Sequence, residues 1–222
     1  MHGKWWTVKG VRAGILVVML PNFSLTYLII LIVCILISLA IHEFMHAYAG
    51  YKLGDYTAKD EGRLTLNPLS HIDPIMTVAL PVVTLLLFGM PVLAAKPVPF
   101  DPGNVRYGDF GAAIIAAAGP FTNLALAFIG AILLKFLGLG AFAGEVLRIF
   151  ISLNVALFVF NMIPIPPLDG SRILYAFAPE AVQDFMRQIE PFGLFVIFGL
   201  IFIADLGGFI GTLNKMLLNI LL

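Results

Sequence analysis

Five stretches of the chain contain no charged residue: 22–41, 74–95, 110–134, 149–168 and 191–204. A helix needs about 20 residues to cross a hydrocarbon core. The first stretch, with its helix continuing to about residue 50, meets that length, as do the third and fourth. The last meets it if it runs on past Asp205. Segment 74–95 is long enough but carries Pro81, Gly89 and Pro91, which suit a segment that breaks or turns back rather than one continuous helix. Polar connections lie between, at 51–73, 96–109, 135–148 and 169–190. The last, with Asp169, Arg172, Glu180, Asp184, Arg187 and Glu190, predicts a surface loop and a short amphipathic helix.

The two ends of the chain read differently. Residues 1–20 carry Lys4, Lys9 and Arg12, then eight apolar residues. That run is too short to span. It predicts an interfacial lead over 1–21, with Trp5 and Trp6 at headgroup depth; an uncleaved signal-like lead is the alternative. Residues 209–222 predict a second interfacial helix. The core is expected over 22–205, in a single membrane domain over 1–222.

Composition agrees with the pattern. The 222 residues are 60% hydrophobic and 12% charged, with mean hydropathy +1.00, where soluble domains carry roughly 25% charged residues. The expectation is an all-α polytopic membrane protein of about four to six transmembrane helices, in contact with the lipid bilayer. Thirteen basic and thirteen acidic residues cancel, so no nucleic-acid partner is indicated. The lone Cys34 excludes an internal disulfide and reads as a small hydrophobe. The polar connections are each under about 25 residues, too short for an appended soluble domain.

The candidate chemistry begins where the first charge-free stretch ends, in AIHEFMHAYAG. On a helix His42 and His46, four residues apart, share one face, and Glu43 borders it. This is H-E-x-x-H: two neutral imidazoles suited to zinc, and a glutamate suited to act as base on a zinc-activated water. Ionisable groups in a membrane helix cost about 2.5–3.5 kcal/mol each on insertion scales, so three together imply a function. Zinc needs a third protein ligand. Asp55, Asp60, Glu61, His71 and Asp73 lie close in sequence, and Asp169 lies far away.

Asp169 ends the run NMIPIPPLDG, in which Pro164, Pro166 and Pro167 forbid a regular helix. Such backbone is tolerated at membrane depth only where it is buried in protein or lines a cavity. If segments 74–95, 110–134 and 149–168 all cross, Asp169 lies a bilayer away from His42 and His46. If 74–95 dips in and returns, the three meet. Zinc binding by Asp169 and re-entry of 74–95 therefore stand together.

H-E-x-x-H at the end of a span, followed by N-x-x-P-x-P-P-L-D-G, resembles the site-2 protease family of intramembrane zinc metalloproteases. HEFMHAYAGYKLGD, GRLTLNPLSHIDP, AKPVPF and AAAGPFTN resemble its compact prokaryotic branch, without PDZ or CBS domains. The likeness covers about residues 22–205. It implies one zinc per chain held by His42, His46 and Asp169, with Glu43 as catalytic base. Asn161 matches the asparagine that holds substrate or transition state. It also implies cleavage of a transmembrane segment or signal-peptide remnant of a membrane-protein substrate. The location implied is a prokaryotic cell membrane, with the active site nearer the cytosolic face; Lys and Arg counts alone do not orient the chain.

Three features are read from the residues alone. Asn123, in GPFTN, reads as a bond between helices, and His71 and Asp73 read as ordering or gating groups. The alternation at Arg63–Leu66 predicts a short strand able to pair with an unwound substrate. Two other classes stay open. A different membrane metalloenzyme needs a glutamate ligand from Glu145, Glu180 or Glu190. A non-catalytic membrane metal-binding protein has no need of Glu43.

Overall fold

The computed structural model describes residues 24–88, 96–203 and 206–222. The expected lead over residues 1–21 lies outside them. The element order is α1 (Leu25–Lys52), α2 (Thr57–Asp60), α3 (Leu80–Phe88), α4 (Asp109–Phe136), α5 (Ala141–Asn161), α6 (Asp169–Phe177), α7 (Glu180–Ile189), α8 (Gly193–Ile203) and α9 (Leu206–Leu221). A 3-10 turn over Pro68–His71 and a π-helical turn over Pro74–Ala79 precede α3. The described residues contain no strand, and the protein is an all-α polytopic membrane protein.

Helices α1, α4 and α5 are each long and apolar enough to cross a membrane. Among the described residues, a fourth crossing arises if α8 and α9, which meet at 79°, form one span. The described residues thus hold three such spans, or four with that pair, against the expected four to six. Helix α5 starts at Ala141, earlier than the charge-free run, and draws Glu145 and Arg148 into its first turns. Charges near a helix end can reach the interface, so the absence of charge underestimates the length of a helix.

The four-residue turn after α4 sets α5 antiparallel to it. The N–H of Arg106 donates to the carbonyl of Leu53 (2.9 Å), so α4 starts beside the end of α1 and runs back along it. Small residues make that packing close. Gly111, Ala113, Ala116, Gly119, Ala127, Gly130 and Ala131 of α4 are all buried. Ala127 and Ala131 meet Ile151, Val155 and Val159 of α5, with Ile197 of α8 and Ile210 of α9 completing the core. A smaller cluster joins Cys34 of α1 to Ile149 and Leu153 of α5. Ile29, Val33 and Ile37 of α1 are exposed at four-residue spacing, which is a lipid-facing stripe.

The described residues on either side of 72–95 meet. The N–H of Lys96 donates to the carbonyl of His71 (3.0 Å), and Nη2 of the buried Arg63 holds the carbonyl of Lys96 (2.6 Å). The residues that flank the segment are thus bonded to each other, and the chain reaches α4 on the side where α1 ended.

The strand expected at Arg63–Leu66 does not form. Gly62 takes a left-handed φ of 69°, the N–H of Thr65 turns back to the carbonyl of Arg63 (2.9 Å), and Asn67 caps the 3-10 turn by accepting from the N–H of Leu69. These local bonds use the groups that a β-ladder would need. The 169–190 connection is two helices, α6 and α7, rather than a loop with one.

Candidate metal centre

His42 and His46 lie on one face of α1, and both are buried. His42 sits ten residues before Lys52, the end of α1, a depth of roughly 15 Å at 1.5 Å per residue. Asp169 is the first residue of α6, where the helix N-terminus favours a carboxylate. Gly170 places it there. A Cβ on Gly170 would stand 2.3 Å from the carbonyl of Met162, so only glycine lets α6 seat against the end of α5. The prolines before it turn the chain so that Asp169 comes back toward α1, with the Pro166–Pro167 peptide bond cis.

The three donors converge. His42 Nε2 and His46 Nε2 are 2.9 Å apart, and each is 3.3 Å from Asp169 Oδ2. Donors about 2.0–2.2 Å from a tetrahedral zinc lie roughly 3.3–3.5 Å from one another. The triangle therefore fits such an ion with little adjustment.

The tautomers point the same way. His46 Nδ1 faces the carbonyl of Ile115 at 2.7 Å; a carbonyl only accepts, so Nδ1 carries the proton. His42 Nδ1 faces Asn123 Oδ1 at 2.6 Å, and Asn123 donates its own Nδ2 to Asn154 Oδ1 (2.8 Å), so His42 Nδ1 is also the donor. Both Nε2 atoms then present lone pairs to each other and to Asp169 Oδ2, a buried atom with no hydrogen-bond donor. Three acceptor atoms facing each other repel unless a cation sits among them.

Glu43, next to His42 in α1, is buried as well. Gly119 of α4 closes the site from the other side. A Cβ there would stand 2.3 Å from His46 Nε2 and 2.7 Å from His42 Cε1. The imidazoles therefore rest directly on the backbone of α4.

The other expected residues fall elsewhere. Asp55 accepts from Thr57 and from the N–H of Asp101, tying two loops together. His71 Nε2 bonds the carbonyl of Thr65 (2.9 Å), and Asp73 accepts from the N–H of Ile75 (2.8 Å), so both order the loop. Glu145 lies beside Tyr27, Arg148 and Ser152 in a cavity of about 240 Å³ between α1 and α5, and Glu190 pairs with Arg172. Among the described residues, the only group of three or more metal-ligating side chains is His42, His46 and Asp169. Asn161, the last residue of α5, donates Nδ2 to the carbonyl of Leu157 (3.0 Å). Asn154 and Ser38 were missed. The signal for Asn154 was an amide seven residues before Asn161 in an otherwise apolar run.

The chain matches the family model of Peptidase family M50 over residues 139–204, the stretch that holds Asn161 and Asp169. It is also 38% identical over 197 residues to "Putative zinc metalloprotease YwhC" of Bacillus subtilis (strain 168), across 85% of this chain and 86% of that one. The chain belongs to Peptidase family M50, the site-2 protease family. It is 30% identical over 179 residues to "Putative zinc metalloprotease Rip2" of Mycobacterium tuberculosis (strain ATCC 25618 / H37Rv), across 78% of this chain and 66% of that one. An archaeal relative from Methanocaldococcus jannaschii is 31% identical over 157 residues, 69% of this chain and 73% of that one. No solved structure gives a significant match.

Proposed function

We propose that this M50 chain is a zinc-dependent intramembrane endopeptidase that cuts a membrane-embedded segment of another membrane protein. One observation carries the reading. Three buried lone-pair atoms from α1 and α6 converge at zinc-ligand spacing beside Glu43, roughly 15 Å inside a membrane-spanning helix. His42, His46 and Asp169 are the ligands. Zinc held there would supply a Lewis acid for the scissile carbonyl and for water. Glu43 accepts a proton from the attacking water and returns it to the leaving amine. The Asn161 amide uses one N–H on Leu157, which leaves its second N–H and its oxygen to hold a substrate strand or a developing oxyanion.

The depth of the site selects the substrate. A scissile bond must reach it from within the bilayer, and a peptide carbonyl in an intact helix is already bonded. The substrate is therefore a transmembrane helix or signal-peptide remnant that unwinds locally, and helix-breaking residues near the cut accelerate cleavage. The side reached by the end of α1, the loops around His71 and Lys96, and α6 is the cytosolic side of a cell membrane.

The test uses detergent-purified wild type, Glu43→Gln and Asp169→Ala, with zinc per chain and cleavage of a transmembrane reporter measured together. Wild type is expected to hold one zinc and cut. Glu43→Gln is expected to hold zinc without cutting, and Asp169→Ala to lose the metal. Cleavage by Glu43→Gln, or zinc retained by Asp169→Ala with full activity, overturns the reading.

A further inference from the structure

We infer that Asn154, with Asn123, forms a positioning relay that fixes which nitrogen of His42 faces the metal, and that its polarity is set by the backbone carbonyl of Phe150. This rests on the reading of His42 as a metal ligand. The relay runs through three helices. Asn154 of α5 donates Nδ2 to the carbonyl of Phe150 (2.9 Å) and to Ser38 Oγ of α1 (2.9 Å). Its Oδ1 accepts from Asn123 Nδ2 of α4 (2.8 Å), and Asn123 Oδ1 meets His42 Nδ1 (2.6 Å). Ser38, Asn123 and Asn154 have no exposed surface.

The direction of every bond follows from one end. An amide can be turned over to exchange its oxygen and nitrogen, and in isolation either choice is equal. The carbonyl of Phe150 removes that freedom because it only accepts. It therefore takes Asn154 Nδ2, which leaves Asn154 Oδ1 toward α4. Asn123 must answer with Nδ2, which leaves its Oδ1 toward His42. His42 must answer with Nδ1–H, which leaves the Nε2 lone pair beside His46 and Asp169. Reversing any link would place two donors or two acceptors together in a site without solvent. His46 is fixed in one step by the carbonyl of Ile115. His42 is fixed in three, and Asn154 is the link that contacts neither His42 nor His46.

Outer partners of metal-binding histidines typically contribute 10–100-fold in affinity. Asn154→Leu frees Asn123 to turn over. Asn154→Asp, protonated in this buried place, keeps an O–H for Phe150 and an acceptor for Asn123. The chain has four histidines, so selective imidazole nitrogen-15 NMR can follow His42. In zinc-free protein, wild type and Asn154→Asp are expected to show His42 protonated at Nδ1, and Asn154→Leu a mixture with the Nε2–H form. Chelator competition is expected to place zinc affinity of Asn154→Leu about 10-fold or more below wild type, with Asn154→Asp restored toward it. Asn154→Ala is read the same way if Asn154→Leu does not fold.

An unchanged His42 tautomer in the folded apolar variants overturns the relay, as does an aspartate variant no better than leucine. A tautomer change with unaltered zinc affinity overturns its role toward the metal. Wild type that binds no zinc overturns the functional reading instead, and the zinc-free tautomer pattern then decides the relay by itself.

Discussion

Gly119 shows how closely α4 defines the site. A methyl group added there would occupy the space of His46 Nε2, at 2.3 Å. Glycine to alanine raises helix propensity by about 1 kcal/mol, so on local grounds Gly119→Ala should stabilise α4. The expected outcome is the reverse for the metal: helicity by circular dichroism is kept, while bound zinc and cleavage are lost. A variant that keeps one zinc would show that α4 can withdraw from the imidazoles. His42, Glu43 and His46 were legible in the sequence because their spacing is that of a helix face and their polarity stands against an apolar run. Asn123 was legible only as a bond between helices. That its partner is His42, and that Asn154 and Ser38 lie behind it, depends on how three helices register, and no local pattern encodes that register.

At the scale of elements, α6 carries Asp169 and is tied down at several points. Gly170 seats it on Met162 and Ile163, Arg172 pairs with Glu190, and the same guanidinium lies 6.0 Å from the Phe100 ring. Gly170→Ala is expected to lift the start of α6 and carry Asp169 away from the histidines. Zinc content should fall by tenfold or more in chelator competition while the spans stay folded; zinc retained at wild-type affinity would show that Asp169 reaches the site without that seat. The prolines of 74–95, with the need to bring Asp169 to the histidines, gave the expectation of re-entry; residues 89–95 lie outside the described residues, and the flanking Lys96 and His71 are bonded to each other. The strand at Arg63–Leu66 was not correctly read, because four alternating residues weigh less than Gly62, the Asn67 cap and Pro68 around them. The start of α5 was misplaced because charge marks the interface and not the end of a helix.

For the whole molecule, two acceptor atoms of α1 and one of α6 repel one another when no cation joins them. Metal removal is therefore expected to lower stability as well as activity. At free zinc a hundredfold above Kd, the bound form should gain about 2.7 kcal/mol, read as a rise in melting temperature on adding zinc to stripped protein. An equal melting temperature with and without zinc would mean that the histidines and Asp169 part freely. The topology makes a separate prediction. Single cysteines at Leu69, Val98 and Ala178, in a Cys34→Ala background, should react with an impermeant thiol reagent from one membrane side, and a cysteine at Gly138 from the other. Labelling of Leu69 and Val98 from opposite sides would show that 74–95 crosses.

The separation of the ligands along the chain also bears on biogenesis. His46 and Asp169 are 123 residues apart, the difference of their numbers. At roughly 5–20 residues per second, ribosomal synthesis takes on the order of 6–25 s to cover that interval. Throughout it, a growing chain holds the two histidines and Glu43 but lacks the acid that completes the triangle. Helix α4, which closes the site, and α5, which orients His42, must also be inserted before Asp169 can arrive. The triangle thus closes late, and the order of translation by itself delays metal binding until most of the chain has been made.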